Sequence, residues 1–208
     1  MKKAIMLFSL AGLINFSFAQ SVNFGVKAGI NFSNVSSSGG GLTLTTSNTT
    51  GFHVGAVADI GFGSLSLQPG VLYSTTGGSL NFSGGTDKLT LNYVEVPVNL
   101  LYNIPAGIGK LFIGGGPYVA LGVSGKATLS GTLTSTGGGS ESQNITFGSA
   151  PGDVKNPDFG VNLLGGFRFK SGLSFSAGYG IGLANLSNES GASTKNNVLS
   201  FSIGYFFK

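Results

Sequence analysis

Six ionisable residues are the groups in this chain whose types could together carry acid–base, ion-conducting or charge-pairing chemistry. Each stands at an alternate position in a run of apolar and small residues, on the side opposite to the apolar residues. If the runs are strands, the six side chains share one face of a sheet. Three are acids, two are bases and one is a histidine: Lys27, His53, Asp59, Glu95, Asp158 and Arg168.

Catalysis finds little support among these residues. His53 is the sole histidine of the chain, and no acid lies beside it at a motif spacing, so a serine nucleophile would have a single candidate base without an orienting partner. The lack of cysteine excludes a thiol nucleophile, a thiolate metal site, a disulfide scaffold and a lipoprotein cysteine. The glycine runs 39–41 and 137–139 lack a following lysine and helix, which a phosphate loop requires. We therefore expect no enzyme, no cofactor and no metal site.

The composition of the chain is unusual for a soluble domain. Its 208 residues include 37 glycines, and charged residues make up only 9%. The mean hydropathy of +0.31 would fit membrane helices. After residue 19, however, no apolar stretch approaches the ~20 residues that a spanning helix needs. The hydrophobicity is therefore spread over short segments.

Residues 1–19 have the pattern of a signal peptide. Lys2 and Lys3 form a basic start, residues 4–14 form an apolar run, and the small residues Ser17 and Ala19 fit cleavage before Gln20. Removal of the two lysines leaves nine basic residues against seven acidic ones. The high isoelectric point of the full chain therefore gives no reason to expect nucleic acid as a partner. Residues 20–208 are expected to form one domain.

Eight runs of alternating apolar and polar or small residues fill the chain from Val22 to Phe207. The fourth run is preceded by residues 89–93, whose apolar positions are out of phase with it. We interpret that shift as a bulge or as strand beyond a membrane. The phase of the fifth run is interrupted by glycines and Pro117, and we assign its apolar face to the odd-numbered residues. The apolar faces of the eight runs begin at Val22, Phe52, Leu65, Val94, Leu111, Phe159, Leu173 and Leu199.

The distribution of charge between the two faces indicates which solvent each face meets. The apolar faces carry no lysine, arginine, aspartate, glutamate or histidine, whereas the six ionisable residues lie on the opposite faces. In a soluble barrel such as a lipocalin the apolar face would point inward, and a Gly- and Ser-rich face would have to meet water. Lipid exposure accounts for the complete lack of charge. The sequence predicts an all-β fold: an eight-stranded antiparallel up-and-down transmembrane β-barrel.

The links between the runs alternate in length. The short links are 63–64, 103–110 and 170–172, and the long ones are 33–50, 74–88, 124–157 and 184–195. Bacterial outer-membrane barrels keep short turns in the periplasm and long loops outside, so both termini are expected to be periplasmic. Aromatic residues then form two belts. The expected outer belt is Phe32, Phe52, Tyr73 and Phe159, and the inner belt is Phe62, Tyr102, Phe169, Tyr205 and Phe207.

Five short segments carry a resemblance to a known family: residues 24–29, 93–98, 115–118, 158–160 and 179–186. Together they resemble the small outer-membrane β-barrel proteins of Bacteroidetes, called PorT-like or porin-family proteins. The resemblance implies an eight-stranded barrel similar in architecture to OmpA-like and OmpX-like proteins. It implies no single shared activity, although one branch of the family is linked to protein secretion and gliding. Phe207 is similar to the terminal aromatic signal of outer-membrane assembly, but Lys208 follows it.

The expected function follows from a filled interior and long outer links. An eight-stranded barrel is only wide enough for side chains to fill it, so the inward charges are expected to pair with one another and not to line a wide pore. We expect a monomeric barrel with a structural or surface-interaction role. The alternatives are a transport or secretion accessory and, less favoured, a lipid-modifying enzyme. The expected partners are the bilayer with its lipopolysaccharide, the outer-membrane assembly machinery and an unidentified surface ligand.

Overall fold

The computed structural model describes residues 21–40, 42–131, 138–150, 152–189 and 191–207. The segment 1–19, interpreted above as a signal peptide, lies outside these residues. No helix in the described part of the chain is long and apolar enough to cross a membrane. The strands are β1 (Ser21–Gly39), β2 (Leu42–Thr45), β3 (Ser47–Phe62), β4 (Leu65–Phe82), β5 (Gly85–Ala106), β6 (Gly109–Gly131), β7 (Ser140–Ile145), β8 (Asp158–Phe169), β9 (Leu173–Gly182) and β10 (Ala192–Phe206).

Eight long strands close into a barrel, as the sequence predicts. The order is β1-β3-β4-β5-β6-β8-β9-β10, every neighbouring pair is antiparallel, and β10 returns to pair with β1. Because the barrel is closed, none of these strands has an unpaired edge within the barrel wall. The two short strands lie outside this cycle, since β2 pairs with β1 and β7 pairs with β6.

The two ends of the barrel differ. One end, called the turn end here, has the tight turns 63–64, 107–108 and 170–172 together with the start of β1 and the finish of β10. Gly63 and Gly107 take positive φ angles of 65° and 51° in these turns, a conformation that favours glycine. The other end, called the loop end, has every longer connection. Each predicted short link therefore contains a tight turn at the turn end, whereas the predicted long link 74–88 contracts to a two-residue turn at the loop end.

The outer face of the barrel is a continuous band of exposed apolar side chains. Phe24 on β1 is 66% exposed, and the apolar residues of all eight long strands alternate outward in the predicted phase. Strand β6, which contains the fifth run, follows the odd-numbered assignment, because Leu111, Ile113 and Val119 all lie on the outer face. Monomeric soluble proteins rarely expose a contiguous apolar surface of more than a few hundred Å². The band is the surface that meets lipid.

At residues 89–93 the structure has both features that the shift of phase indicated, because β5 continues as strand and a bulge lies in its pairing with β6. Leu91 and Tyr93 point inward on the same face as Glu95, so β5 continues through this region without a change of phase. The register does shift here, but the extra residue lies in β6: Asn92 pairs with Ser124, and Tyr93 pairs with Gly122. The inner face of β5 therefore becomes apolar toward the loop end. In the sequence, this change looks like a one-residue shift of the alternation.

The long links contain more strand than the sequence indicates. The predicted link 74–88 is a hairpin in which β4 and β5 stay paired to Phe82 and Gly85, leaving a turn at 83–84. The predicted link 33–50 is mostly β1, β2 and the start of β3. Both segments are rich in small and polar residues, and their backbones are nevertheless paired with those of neighbouring strands.

Candidate functional site

The interior of the barrel is the candidate site, because it gathers all six ionisable residues singled out above. Alternation along each strand directs these side chains inward, and the apolar residues between them face lipid. The interior has three levels. A charged base lies near the turn end, a polar chamber lies in the middle, and an apolar cap lies toward the loop end.

The charged base consists of Asp59, Lys110, Arg168 and Phe206. The buried carboxylate of Asp59 accepts a hydrogen bond from Nη1 of Arg168, and Nζ of Lys110 lies 3.3 Å from the same carboxylate oxygen. The guanidinium carbon of Arg168 lies 3.4 Å from the centroid of the Phe206 ring, which adds a cation–π contact. These residues bridge β3, β6, β8 and β10. Two adjoining apolar clusters complete the base: Val57, Leu72 and Phe206, and Leu101, Phe112 and Leu164.

Lys110 is the member of the base that sequence reasoning missed. The sequence assigned it to a short turn, whereas β6 already begins at Gly109. Its parity was the available signal, because Lys110 and the inward Phe112 are alternate residues of one strand. With Lys110 included, the interior holds three acids and three bases.

The chamber is a cavity of about 70 Å³ above the base. At roughly 10–15 Å³ for each water position, it has room for about five waters. Four of the six predicted residues line it: Lys27, His53, Glu95 and Asp158. None of the four makes an ion pair within 4.0 Å among the described residues. The structure therefore joins Asp59 to Arg168 directly and gathers the other four around a shared cavity.

His53 is held by hydrogen bonds on both ring nitrogens. Nδ1 lies 2.8 Å from Oδ1 of Asn31, and Nε2 lies 2.9 Å from Oγ of Ser202. The amide nitrogen of Asn31 donates to the carbonyls of Phe52 and Thr75, so its oxygen must accept from Nδ1, and Nε2 can accept from the Ser202 hydroxyl.

The hydrogen bonds between Ser202, His53 and Asn31 connect the same residue types as in some hydrolytic sites. A substrate, however, has no access to the Ser202 hydroxyl. The His53 side chain is 4% exposed, and Ser202 is also buried in the barrel wall. A substrate carbonyl would have to enter that wall to reach the hydroxyl. The arrangement instead links β1, β3, β4 and β10 across the interior. Among the described residues, no three histidine, cysteine or carboxylate side chains come together in a group that could hold a metal ion.

The apolar cap closes the interior toward the loop end. Leu91, Tyr93, Tyr118 and Ala120 form its buried part, and Leu89, Ile145, Phe147 and Val154 pack against it. The rings of Tyr93 and Phe147 meet edge to face with centroids 5.8 Å apart. The sequence did not indicate this cap.

Backbone hydrogen bonds fix the segment that carries Phe147 and Val154. Val154 N donates to Thr146 O, and Lys155 N donates to Leu186 O in the link before β10. The side-chain amide of Asn188 in that link donates to the carbonyl oxygens of Gly148 and Asp153. The link after β7 and the link before β10 are thus hydrogen-bonded to each other at the loop end.

Solved structures similar to this chain include bacterial surface and outer-membrane proteins. The chain is 16% identical to Ail, the attachment invasion locus protein of Yersinia pestis, in complex with the heparin analogue sucrose octasulfate, with a TM-score of 0.45 over 90% of this chain and 99% of Ail. It is 15% identical to Neisserial surface protein A, with a TM-score of 0.46 over 90% of this chain and 99% of that one. OprG of Pseudomonas aeruginosa is 13% identical, with a TM-score of 0.37 over 90% of this chain and 97% of OprG. These similarities are too distant to bear on the role of this chain.

A family model gives the assignment that the distant structures do not. No curated protein matches the chain. The model of the outer membrane protein beta-barrel domain matches residues 18–188, which is most of the chain. Its description agrees with the closed barrel and the apolar outer band described above. The chain therefore belongs to the outer membrane protein beta-barrel domain family and is a protein of the outer membrane.

Proposed function

We propose that this protein is a surface-interaction barrel, whose loop end binds a partner outside the cell and whose interior passes no bulk solute. The observation that carries the proposal is the unequal construction of the two ends. The turn end consists of turns of two or three residues, whereas at the loop end residues 85–93 of β5 continue beyond the apolar band. Nine residues add roughly 30 Å along the strand.

The surface of the loop end suits a polar partner. Pairs of hydroxyl side chains run between β6 and β7, with Thr128 and Ser142 3.2 Å apart and Ser130 and Ser140 3.1 Å apart. Ser37 and Thr194 form a similar pair between β1 and β10, at 3.1 Å. An ordered surface of hydroxyl and amide groups offers hydrogen bonds to a glycan or to another envelope protein at a low entropic cost.

The orientation and the processing of the chain belong to the same proposal. The loop end lies outside the cell, both termini lie in the periplasm, and residues 1–19 are removed as a signal peptide to leave residues 20–208 as the barrel domain. Protease added to intact cells should cut the loop end, whereas a tag at the mature N-terminus should stay protected until the envelope is permeabilised. N-terminal sequencing of the barrel should begin at Gln20. A soluble periplasmic protein without a heat-dependent gel shift would contradict this placement.

The six inward residues form the structural network of this proposal. Lys27, His53, Asp59, Glu95, Asp158 and Arg168 hold the barrel closed and do not conduct or catalyse. The contact between Asp59 and Arg168 supports this role, as do the two hydrogen bonds of His53. In the PorT-like branch, the barrel would instead assist transport or protein secretion. The filled base and cap favour surface interaction over transport.

A shortened barrel separates the two functions. Replacing residues 80–87 by a two-residue turn removes the hairpin tip and leaves the band that meets lipid unchanged. We expect the variant to show the heat-dependent gel shift of the wild type. Purified in nanodiscs, it should lose the binding that the wild type shows to a glycan array or to immobilised envelope proteins. If the wild type binds neither set, and a deletion strain loses secreted proteins, the secretion role is correct.

A further inference from the structure

The chamber contains polar atoms that the protein itself leaves without partners. Oδ1 of Asp158, Oη of Tyr93, Oδ1 of Asn99 and Oδ1 of Asn196 are all buried and meet no hydrogen-bonding group of the described chain. Asp158 and Tyr93 are each only 2% exposed. All four residues line the same cavity. Buried polar atoms without a partner are rare, because each loses its hydration on folding.

The charges around the chamber are unequal. Glu95 accepts a hydrogen bond of 3.4 Å from Asn162 and interacts electrostatically with Lys27. Asp158 has no basic partner within ion-pair distance among the described residues. The other two basic residues of the interior, Lys110 and Arg168, both contact Asp59 near the turn end. With Glu95, Asp158 and Lys27 all ionised, the chamber carries one negative charge more than its lysine balances.

The atoms without partners are all oxygens, and this chemistry suits one class of ligand. Carboxylate, amide and hydroxyl oxygens are the ligands of hard cations, whereas a thiolate or imidazole set would select a softer metal. One unbalanced negative charge matches a monovalent ion. A cavity of about 70 Å³ admits such an ion with part of its hydration shell.

We propose that the chamber binds a small monovalent cation, Na⁺ or K⁺, with Asp158 as its charged ligand and Tyr93 and Asn196 as neutral oxygen ligands, directly or through water. The ion neutralises Asp158 and satisfies the acceptors between the base and the apolar cap. Its binding stabilises the closed barrel, because the site requires β5, β8 and β10 to be assembled together.

The test compares thermal unfolding of the detergent-solubilised barrel in chloride salts of equal ionic strength. Na⁺ or K⁺ should raise the unfolding midpoint above its value in tetramethylammonium, whose bulk excludes it from the chamber, by about 5 °C at ~100 times the dissociation constant. Asp158→Asn should abolish this difference. Asp87→Asn, a matched change of an exposed carboxylate on the hairpin, should keep it.

Two further measurements keep the proposal falsifiable if Asp158→Asn fails to fold. Tyr93→Phe should weaken the cation dependence about threefold or more, and Rb⁺ soaked into crystals should give an anomalous peak between Asp158 and Tyr93. Equal midpoints in all salts would overturn the proposal, as would a cation dependence that survives Asp158→Asn. A protonated-carboxyl infrared band that only Asp158→Asn removes would also overturn it, because a proton would then neutralise the site.

Discussion

At the scale of single residues, Asp59 is the acid whose environment is defined most completely. It is buried, in contact with Arg168 and 3.3 Å from Lys110. The two bases are not equivalent, since the Lys110 side chain is 32% exposed and that of Arg168 is 7% exposed. An exposed ion pair adds little to stability, whereas removing one partner of a buried pair leaves an unbalanced charge.

Substitution of the two bases should therefore have unequal effects. Arg168→Met should lower the free energy of unfolding by roughly 3 kcal/mol, and Lys110→Met by about 1 kcal/mol or less. Urea titration of the barrel refolded in lipid vesicles measures both. Lys170→Met, a change at an exposed turn residue, is the control, and Asp59→Asn combined with Arg168→Met should recover part of the loss. Equal effects of Arg168→Met and Lys110→Met would show that the base is not organised around Arg168.

Gly29 provides a second residue-scale prediction, because it makes room for His53. A Cβ atom at Gly29 would lie 2.1 Å from the carbonyl oxygen of Phe201 and 2.6 Å from Cε1 of His53. Gly29→Ala should therefore destabilise the barrel by at least the ~1–3 kcal/mol typical of overpacking. Gly165 is the matched control, since its nearest neighbour would be 3.5 Å away. Gly165→Ala should equal or exceed the wild type in the same urea titration, and a similar loss in both variants would contradict the argument.

At the scale of the strands, much of the barrel could be predicted because lipid and a packed interior impose opposite demands on alternate residues. The alternation of apolar and polar residues in the sequence then assigns the two faces of each strand, and no contact between strands has to be known. The same logic assigned the outward phase of β6 and the inward direction of the six ionisable residues. The prediction from alternation failed where apolar residues face the interior as well as the lipid. Leu91 and Tyr93 are apolar yet point inward, and Phe147 and Val154 lie in a link without alternation.

The lipid face of a strand and its continuation beyond the membrane should respond differently to charge. Val98 of β5 lies in the apolar band, and Leu80 of β4 is exposed on the hairpin near its tip. Val98→Lys should cost about 2–4 kcal/mol if it lies near the midplane, because the ammonium group enters hydrocarbon. Leu80→Lys should cost less than about 0.5 kcal/mol, as a surface change does. Refolding yield into vesicles and the heat-dependent gel shift report both, and comparable losses would mean that the hairpin also lies in lipid.

At the scale of the whole molecule, the barrel is a wall around a closed interior. Toward the loop end, side chains from β5, β6, β7 and the link after β7 pack into the cap, and at the turn end the base and its apolar clusters fill the interior. Between them lies a cavity large enough for an ion and a few waters but not for a stream of solutes. The lipid-facing band sets where the protein resides, and the closed interior leaves the surface of the loop end as the part that can meet a partner.

Because the two closures lie in series, opening one of them should not create a pore. We expect the wild type to show no porin-sized conductance steps in a planar bilayer. A variant with Tyr93→Ser and Phe147→Ser, which loosens the cap, should also stay closed, because Arg168, Phe206 and their neighbours still fill the base. A wide bacterial porin measured in the same bilayer gives the positive control. Conductance steps in the cap variant that scale with bulk salt would show that the base is open, and the same steps in the wild type would make transport the leading function.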